Sequence, residues 1–193
     1  MITARVQHIQ PLPQLVGALT AQQAFGPIPH RAAHYDPAAR LVRISGQDIN
    51  WHGHAHVWEF WYLLPQQRAR ACSEVAVCDD DLDVALEVNC LRECLTPFPE
   101  PDATIHHLIR TGALVPAVLD ELWAQELAHQ PALPIPFRDS PDAVRDMREQ
   151  GADVIAGSTS LYLTASVMPS GAAVWQLHVH DVDYHTPFAL HPR

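Results

Sequence analysis

The sequence contains no lysine: its twelve basic residues are all arginine, set against 22 acidic residues, for a formal net charge of −10. The arginines form no cluster, and an acidic chain without a basic patch is a poor partner for nucleic acid or an anionic membrane surface. No apolar run reaches the roughly 18–20 residues that a membrane-spanning helix needs. The opening stretch MITARVQHIQ also has no charged segment leading into an apolar one, so no export signal is visible and a cytoplasmic protein is expected. Glycine is scarce, at eight of 193 residues, and neither Gly-x-Gly-x-x-Gly nor a Walker pattern occurs to cradle a phosphate. There is no Gly-x-Ser-x-Gly nucleophile turn. The four cysteines, Cys72, Cys78, Cys90 and Cys94, include no Cys-x-x-Cys pair, which argues against a zinc ribbon or a thioredoxin-type centre and for buried, inert thiols. The acidic run Asp79-Asp80-Asp81-Leu82-Asp83 lacks the loop glycine and closing glutamate of an EF-hand and is read as a helix N-terminus. With no catalytic motif left, the expectation leans away from an enzyme.

What is present is apolar patterning. Hydrophobic residues make up 48% of the chain, enough for a sizeable core. Leu15, Val16, Leu19 and Ala24 predict a helix over about 14–25, stopped by Gly26-Pro27, with an irregular connection to Pro37. Alternation predicts strands over 40–45, ended by Gly46, over 57–63 and over 71–77, a three-stranded meander. Leu82, Leu86, Cys90 and Cys94 recur at spacing four and predict a helix closed by Thr96-Pro97. A longer helical stretch follows over about 102–129, then a stiff linker through Pro131, Pro134 and Pro136. Ser140-Pro141-Asp142 opens another helix, with serine as its cap, ending before Gly151. Strands are expected over 160–167 and 173–180, with a short third over 188–190.

Placing Trp58 over Trp175 aligns the two ends of the chain. Trp58, Phe60 and Tyr62 then fall on Trp175, Leu177 and Val179, one face of a strand, while Glu59 and Trp61 fall on Gln176 and His178, the other. The expected fold is therefore α+β: two helix-plus-three-stranded antiparallel units, over 1–78 and 138–193, joined by a helical connection over 79–137 within one globule. The duplication follows from this alignment. The stretches Trp58-Glu59-Phe60-Trp61-Tyr62 and Ala173-Val174-Trp175-Gln176-Leu177 resemble the PepSY and cystatin-like α+β modules. That resemblance covers about residues 10–78 and 138–191 and implies a module that binds rather than catalyses. Such modules usually stand outside the cytoplasm, and this chain shows neither an export signal nor an anchor.

Two places offer chemistry. His52-Gly53-His54-Ala55-His56 sits just before the Trp58 strand, and in extended backbone His52, His54 and His56 point the same way. Together with His178, His180 and His185 on the matching strand, they are candidate ligands for zinc or another divalent transition metal, although no cofactor is required by any motif. The other place is aromatic. Trp61 and Glu59 lie on the strand face opposite the core residues, and Trp61 with Trp51 is expected to form an exposed patch. The sequence thus favours a noncatalytic module that binds a protein or peptide, or a second copy of itself as a homodimer, with metal binding as the alternative.

Overall fold

The computed structural model describes residues 5–11, 17–26, 28–66, 69–78, 88–97, 111, 130–152, 162–179 and 182–189. Its strands are β1 (Arg5–Pro11), β2 (Arg40–Gln47), β3 (Val57–Leu64), β4 (Ala69–Cys78), β5 (Val88–Pro97), β6 (Leu163–Val167), β7 (Ala173–Val179) and β8 (Val182–Pro187). They make one open antiparallel sheet in the order β1-β5-β4-β3-β2-β6-β7-β8. The described helices are α1 (Ala21–Phe25), α2 (Ile28–Tyr35) and α3 (Ser140–Glu149). None is long and apolar enough to cross a membrane.

The alternation in β3 orients the sheet. Trp58, Phe60, Tyr62 and Leu64 point into a core shared with Phe25 of α1, Ile28 of α2 and Ala143, Val144 and Met147 of α3. Val57, Glu59, Trp61 and Leu63 point the other way. That outer face is not uniformly wet, since Leu63 and, on β4, Cys72 opposite Trp61 and Ala76 opposite Val57 are also buried. Tyr62 is the exception within the core: among the described residues its hydroxyl has no hydrogen-bond partner, and burial pushes the phenol well above its ordinary pKa.

Four expectations are corrected. The stretch 88–97 is a strand paired with β4, not a helix. Spacing four is an even number, so Cys90 and Cys94 share a face of a strand as well as a stripe of a helix, and pairing to β4 decides the matter. The rest of the expected helical connection, up to residue 129, lies outside the described residues apart from Thr111. The first helix starts at Ala21, not near Gln14, because Thr20 and Gln23 form a reciprocal capping box there. The stretch after Gly26 is largely helical, since Pro29 falls in the first turn of α2, where a missing N–H costs nothing. Finally, Phe188 lies past the end of β8 and is buried, its N–H bonded to Ala173 O at 3.1 Å, while β8 itself occupies 182–187.

The strand trios β4-β3-β2 and β6-β7-β8 meet edge to edge at a short seam: Ile44 pairs with Ala165, Ser45 with Thr164 and Gly46 with Leu163. Behind the seam Trp58 and Trp175 meet edge to face, their ring centroids 6.2 Å apart at 71°, both fully buried. The Trp58 indole N–H donates to Leu19 O and that of Trp175 to Arg138 O, each at 2.8 Å. Leu19 directly precedes Thr20, the cap of α1, and Arg138 directly precedes Asp139, the cap of α3. Gly46 makes room for the ring, because a Cβ there would stand 2.7 Å from two Trp58 ring carbons.

The two helix starts also touch. Asp139, rather than the expected Ser140, caps α3, and its carboxylate accepts from Ser140 N (2.8 Å) and across the interface from Gln22 N (3.0 Å). Ser140 bridges instead: its Oγ accepts from Ala21 N at 2.9 Å and donates to Gly53 O at 2.7 Å. A single carboxylate thus accepts from one N–H at each helix start and sits favourably at both positive dipole ends. Arg138 completes the joint, ion-pairing with Asp146, donating to Thr186 Oγ1 at 3.0 Å and reaching Asp142 O at 3.2 Å. The Asp146 carboxyl is held below its ordinary pKa chiefly by the hydrogen bond from Arg138.

Two outcomes follow from these contacts. Trp58→Phe and Trp175→Phe should each lower unfolding free energy by about 1–3 kcal/mol, each losing a buried indole hydrogen bond to a helix-start carbonyl; Leu19 O still accepts from Ala55 N, so urea denaturation should show the smaller cost for Trp58→Phe. Asp146→Asn should cost about 1 kcal/mol at pH 7. A carboxyl with a depressed folded pKa stabilises above the unfolded value of about 3.9, and that contribution disappears as pH falls through the folded value. The gap between wild type and Asp146→Asn should therefore hold above about pH 4 and close below it, which denaturation at stepped pH measures.

Candidate functional site

The outer face of the sheet carries the accessible chemistry. Residues directly opposite in antiparallel strands share a face, so rows of side chains run across the seam. One row contains Val174, Ser166, Arg43, Trp61 and Cys72, and the next contains His185, Gln176, Thr164, Ser45, Glu59 and Glu74. A cavity of about 370 Å³ opens over the first row, within the range of small-ligand sites. Its walls are Val42 and Arg43 of β2, Trp61 of β3, Arg70 of β4, and Ser166 and Val167 of β6, with Gln130 and Pro131 from the segment before α3. A second depression of about 360 Å³ shares Arg43 and Ser166 with the first and continues past Thr164 and Gln176 to Tyr162 and His178.

Of the residues singled out by sequence, Trp61 and Glu59 belong to this face. Trp61 is half-buried, and its indole N–H donates to Glu59 Oε2 at 3.4 Å, while Glu59 Oε1 accepts from Gln47 Nε2 at 3.2 Å. Trp51 does not join them. It is exposed but lies under the Arg148 guanidinium, 4.6 Å from the ring centroid, beside a helix that packs on the core face. The expected Trp51–Trp61 patch is therefore split between the two sides of the sheet.

The histidines are also placed differently from the extended arrangement expected. Residues 50–54 form a compact loop in which Asn50 Oδ1 accepts from His52 N (2.9 Å) and His54 N (3.1 Å), Asn50 N donates to His54 O, and Gly53 N donates to Asn50 O. Gly53 takes φ +78° with its α-carbon against α3; a Cβ there would lie 2.5 Å from Pro141 N. Ala55 then pairs both ways with Leu19. His52 and His56 are exposed, His54 half-buried. His178 lies on the outer face, its Nδ1 2.9 Å from Asp183 Oδ1, and that contact holds the Asp183 carboxyl below its ordinary pKa. The two histidine stretches thus do not face each other, and His180 lies outside the described residues. Among the described residues no three His, Cys, Asp or Glu side chains are grouped to hold an ion.

Sequence reasoning missed Arg43, Arg70, Ser166 and Tyr162 as site residues. Arg43 was hidden by the register shift between Leu41 and Arg43, which brings Arg43, not Val42, opposite Trp61. Comparison with family models, curated proteins and solved structures finds no match to this chain.

Because the histidine loop is held by an asparagine side chain and by backbone pairing, Asn50→Ala should cost about 1–2 kcal/mol, whereas a chelator should leave the melting midpoint of the wild-type protein unchanged. Differential scanning calorimetry of both, with and without EDTA, checks this; a midpoint lowered by chelation would instead place an ion in the fold.

Proposed function

We propose that this chain is a noncatalytic binding module that engages a peptide segment of a partner protein at the outer-face cavity beside Trp61. The observation that carries the reading is the position of that cavity, at the seam where the two strand trios meet, with an indole ring, aliphatic walls and polar side chains from four strands converging on one opening. An aromatic wall supplies apolar area at low conformational cost, and the surrounding donors fix orientation.

We read the two trios, each with its helix, as copies of one unit. Ala21 and Ser140 open their helices 119 positions apart, and the same offset carries the cap Thr20 onto the cap Asp139 and Gly46 onto Ala165. Gly46 and Ala165 are the residues that face Trp58 and Trp175 across their strands. Under that offset the seam maps onto itself, as Ile44–Ala165 exchanges with Leu163–Gly46. Trp58 and Trp175 are 117 apart, so the second unit is two residues shorter between the seam strand and the next, and at that offset the outer-face residue matching Trp61 is His178; on this reading copying supplied the scaffold and its two surfaces have diverged.

A mixture of peptides from a proteome digest, passed over the immobilised protein and identified by mass spectrometry, tests the reading. A defined set should be retained by wild type and lost with Trp61→Ser and with Arg43→Glu, both checked for unchanged unfolding curves. Retention of the same set by wild type and both variants, or of no peptide at all, overturns it.

A further inference from the structure

We infer, resting on the reading just given, that the Trp61 cavity takes a carboxylate held next to an apolar group, as at the C-terminus of a peptide ending in phenylalanine or leucine. The argument begins with charge. In a chain with 22 acidic and twelve basic residues, two arginines line this one cavity, and they flank the same ring. Arg43 of β2 stands directly across from Trp61, while Arg70 of β4 stands across from Leu63, the next outward residue along β3. The two guanidiniums thus come from opposite neighbouring strands. Arg43 is exposed at the mouth and free to reorient toward a ligand's end, while Arg70 is half-buried in the wall and adds positive potential there.

A guanidinium presents a planar fork that matches a carboxylate with two parallel hydrogen bonds, and partial removal from water strengthens such bonds. Glu59 defines the other limit of the anion's position. It lies one outward step along β3 in the direction away from Leu63, already accepting from Trp61 Nε1 and Gln47 Nε2, and it repels an anion from that side. The remaining walls, Val42, Val167 and Pro131, suit the apolar side chain that a terminal carboxylate carries with it, against the indole. Ser166 offers a hydroxyl to the preceding peptide group.

The test is titration calorimetry of the full chain with three probes: acetyl-Gly-Gly-Phe as the free acid, the same peptide as its C-terminal amide, and benzoate. The acid should bind about tenfold or more tightly than the amide, and Arg43→Gln should shrink that ratio to about threefold or less. Arg43→Lys should keep part of it, since charge remains but the fork is lost. Benzoate binding as tightly as the peptide acid supports the carboxylate and assigns it to a small free acid; benzoate far weaker supports it as a chain end. Equal affinity for acid and amide, no binding of any probe, or a preference for the acid that survives both Arg43→Gln and Arg70→Gln overturns the inference. Digest peptides retained through Trp61 but indifferent to amidation would sink this inference while leaving the binding module standing; loss of all Trp61-dependent retention removes both.

Discussion

Everything else in the fold leans on the contact between two tryptophans. The seam that joins the halves of the sheet is only three residue pairs long, too little backbone pairing to fix the relation of two strand trios by itself. The Trp58–Trp175 pair lies directly behind it and does more than fill space. Each buried indole N–H must find an acceptor or incur a desolvation penalty. Each finds the carbonyl immediately before a helix cap, so each ring fixes where a helix starts relative to its own strand. The rings in turn touch one another and a cluster of Phe137 and Phe188, with Phe25 reached through Phe137. Strand, helix start and opposite half are thereby determined by one set of contacts, which explains why a side chain at Gly46 has no room.

The same arrangement makes the two helix N-termini neighbours, an electrostatically unfavourable meeting of like dipole ends unless an anion stands between them. Asp139 fills that role, and the consequence reaches the histidine loop. Because the Asp139 carboxylate serves as the cap, the Ser140 hydroxyl is left free to bind Ala21 N and Gly53 O. The loop at 52–56 is shaped by that attachment and by Asn50. Its histidines are accordingly carried by a structural connection on the helix side of the sheet, away from the outer face where His178 and Asp183 pair.

How much of this was legible in the sequence depended on whether one physical signal dominated locally. The β3 run from Val57 to Leu64 alternates without ambiguity, and the same period places Trp58 and Trp175 on the buried faces of their strands. The α3 start was readable but off by one residue, since Asp139 and Ser140 are both good caps and only a tertiary partner for Ser140 separates them. The β5 strand was misread because a repeat of four satisfies either periodicity, and the choice rests on pairing with a distant strand. The proline-rich stretch after Gly26 was misread because a proline in the first turn of a helix is not a breaker. For the site, the face of Trp61 and Glu59 came from alternation alone, but the place of Arg43 opposite Trp61 depended on a local register shift that no period reveals.

The overall charge constrains how such a cavity selects a ligand. At a net charge of −10 the molecule as a whole repels an anion within the Debye length, about 10 Å at 0.1 M salt and longer at lower salt, so long-range attraction does not bring a carboxylate to this face. Selection therefore falls to contacts inside the cavity, where two guanidiniums act at short range against a background they locally reverse. In that setting the geometry of the fork matters more than the amount of charge, and apolar area against the indole supplies the attraction that charge does not. A ligand with only an anionic group meets the repulsion without that compensation, and one with only an apolar group desolvates the Arg43 guanidinium without bringing it an anion. The combination is what the walls of this cavity favour, with Arg43 and Arg70 carried by the strands on either side of the strand that bears the indole.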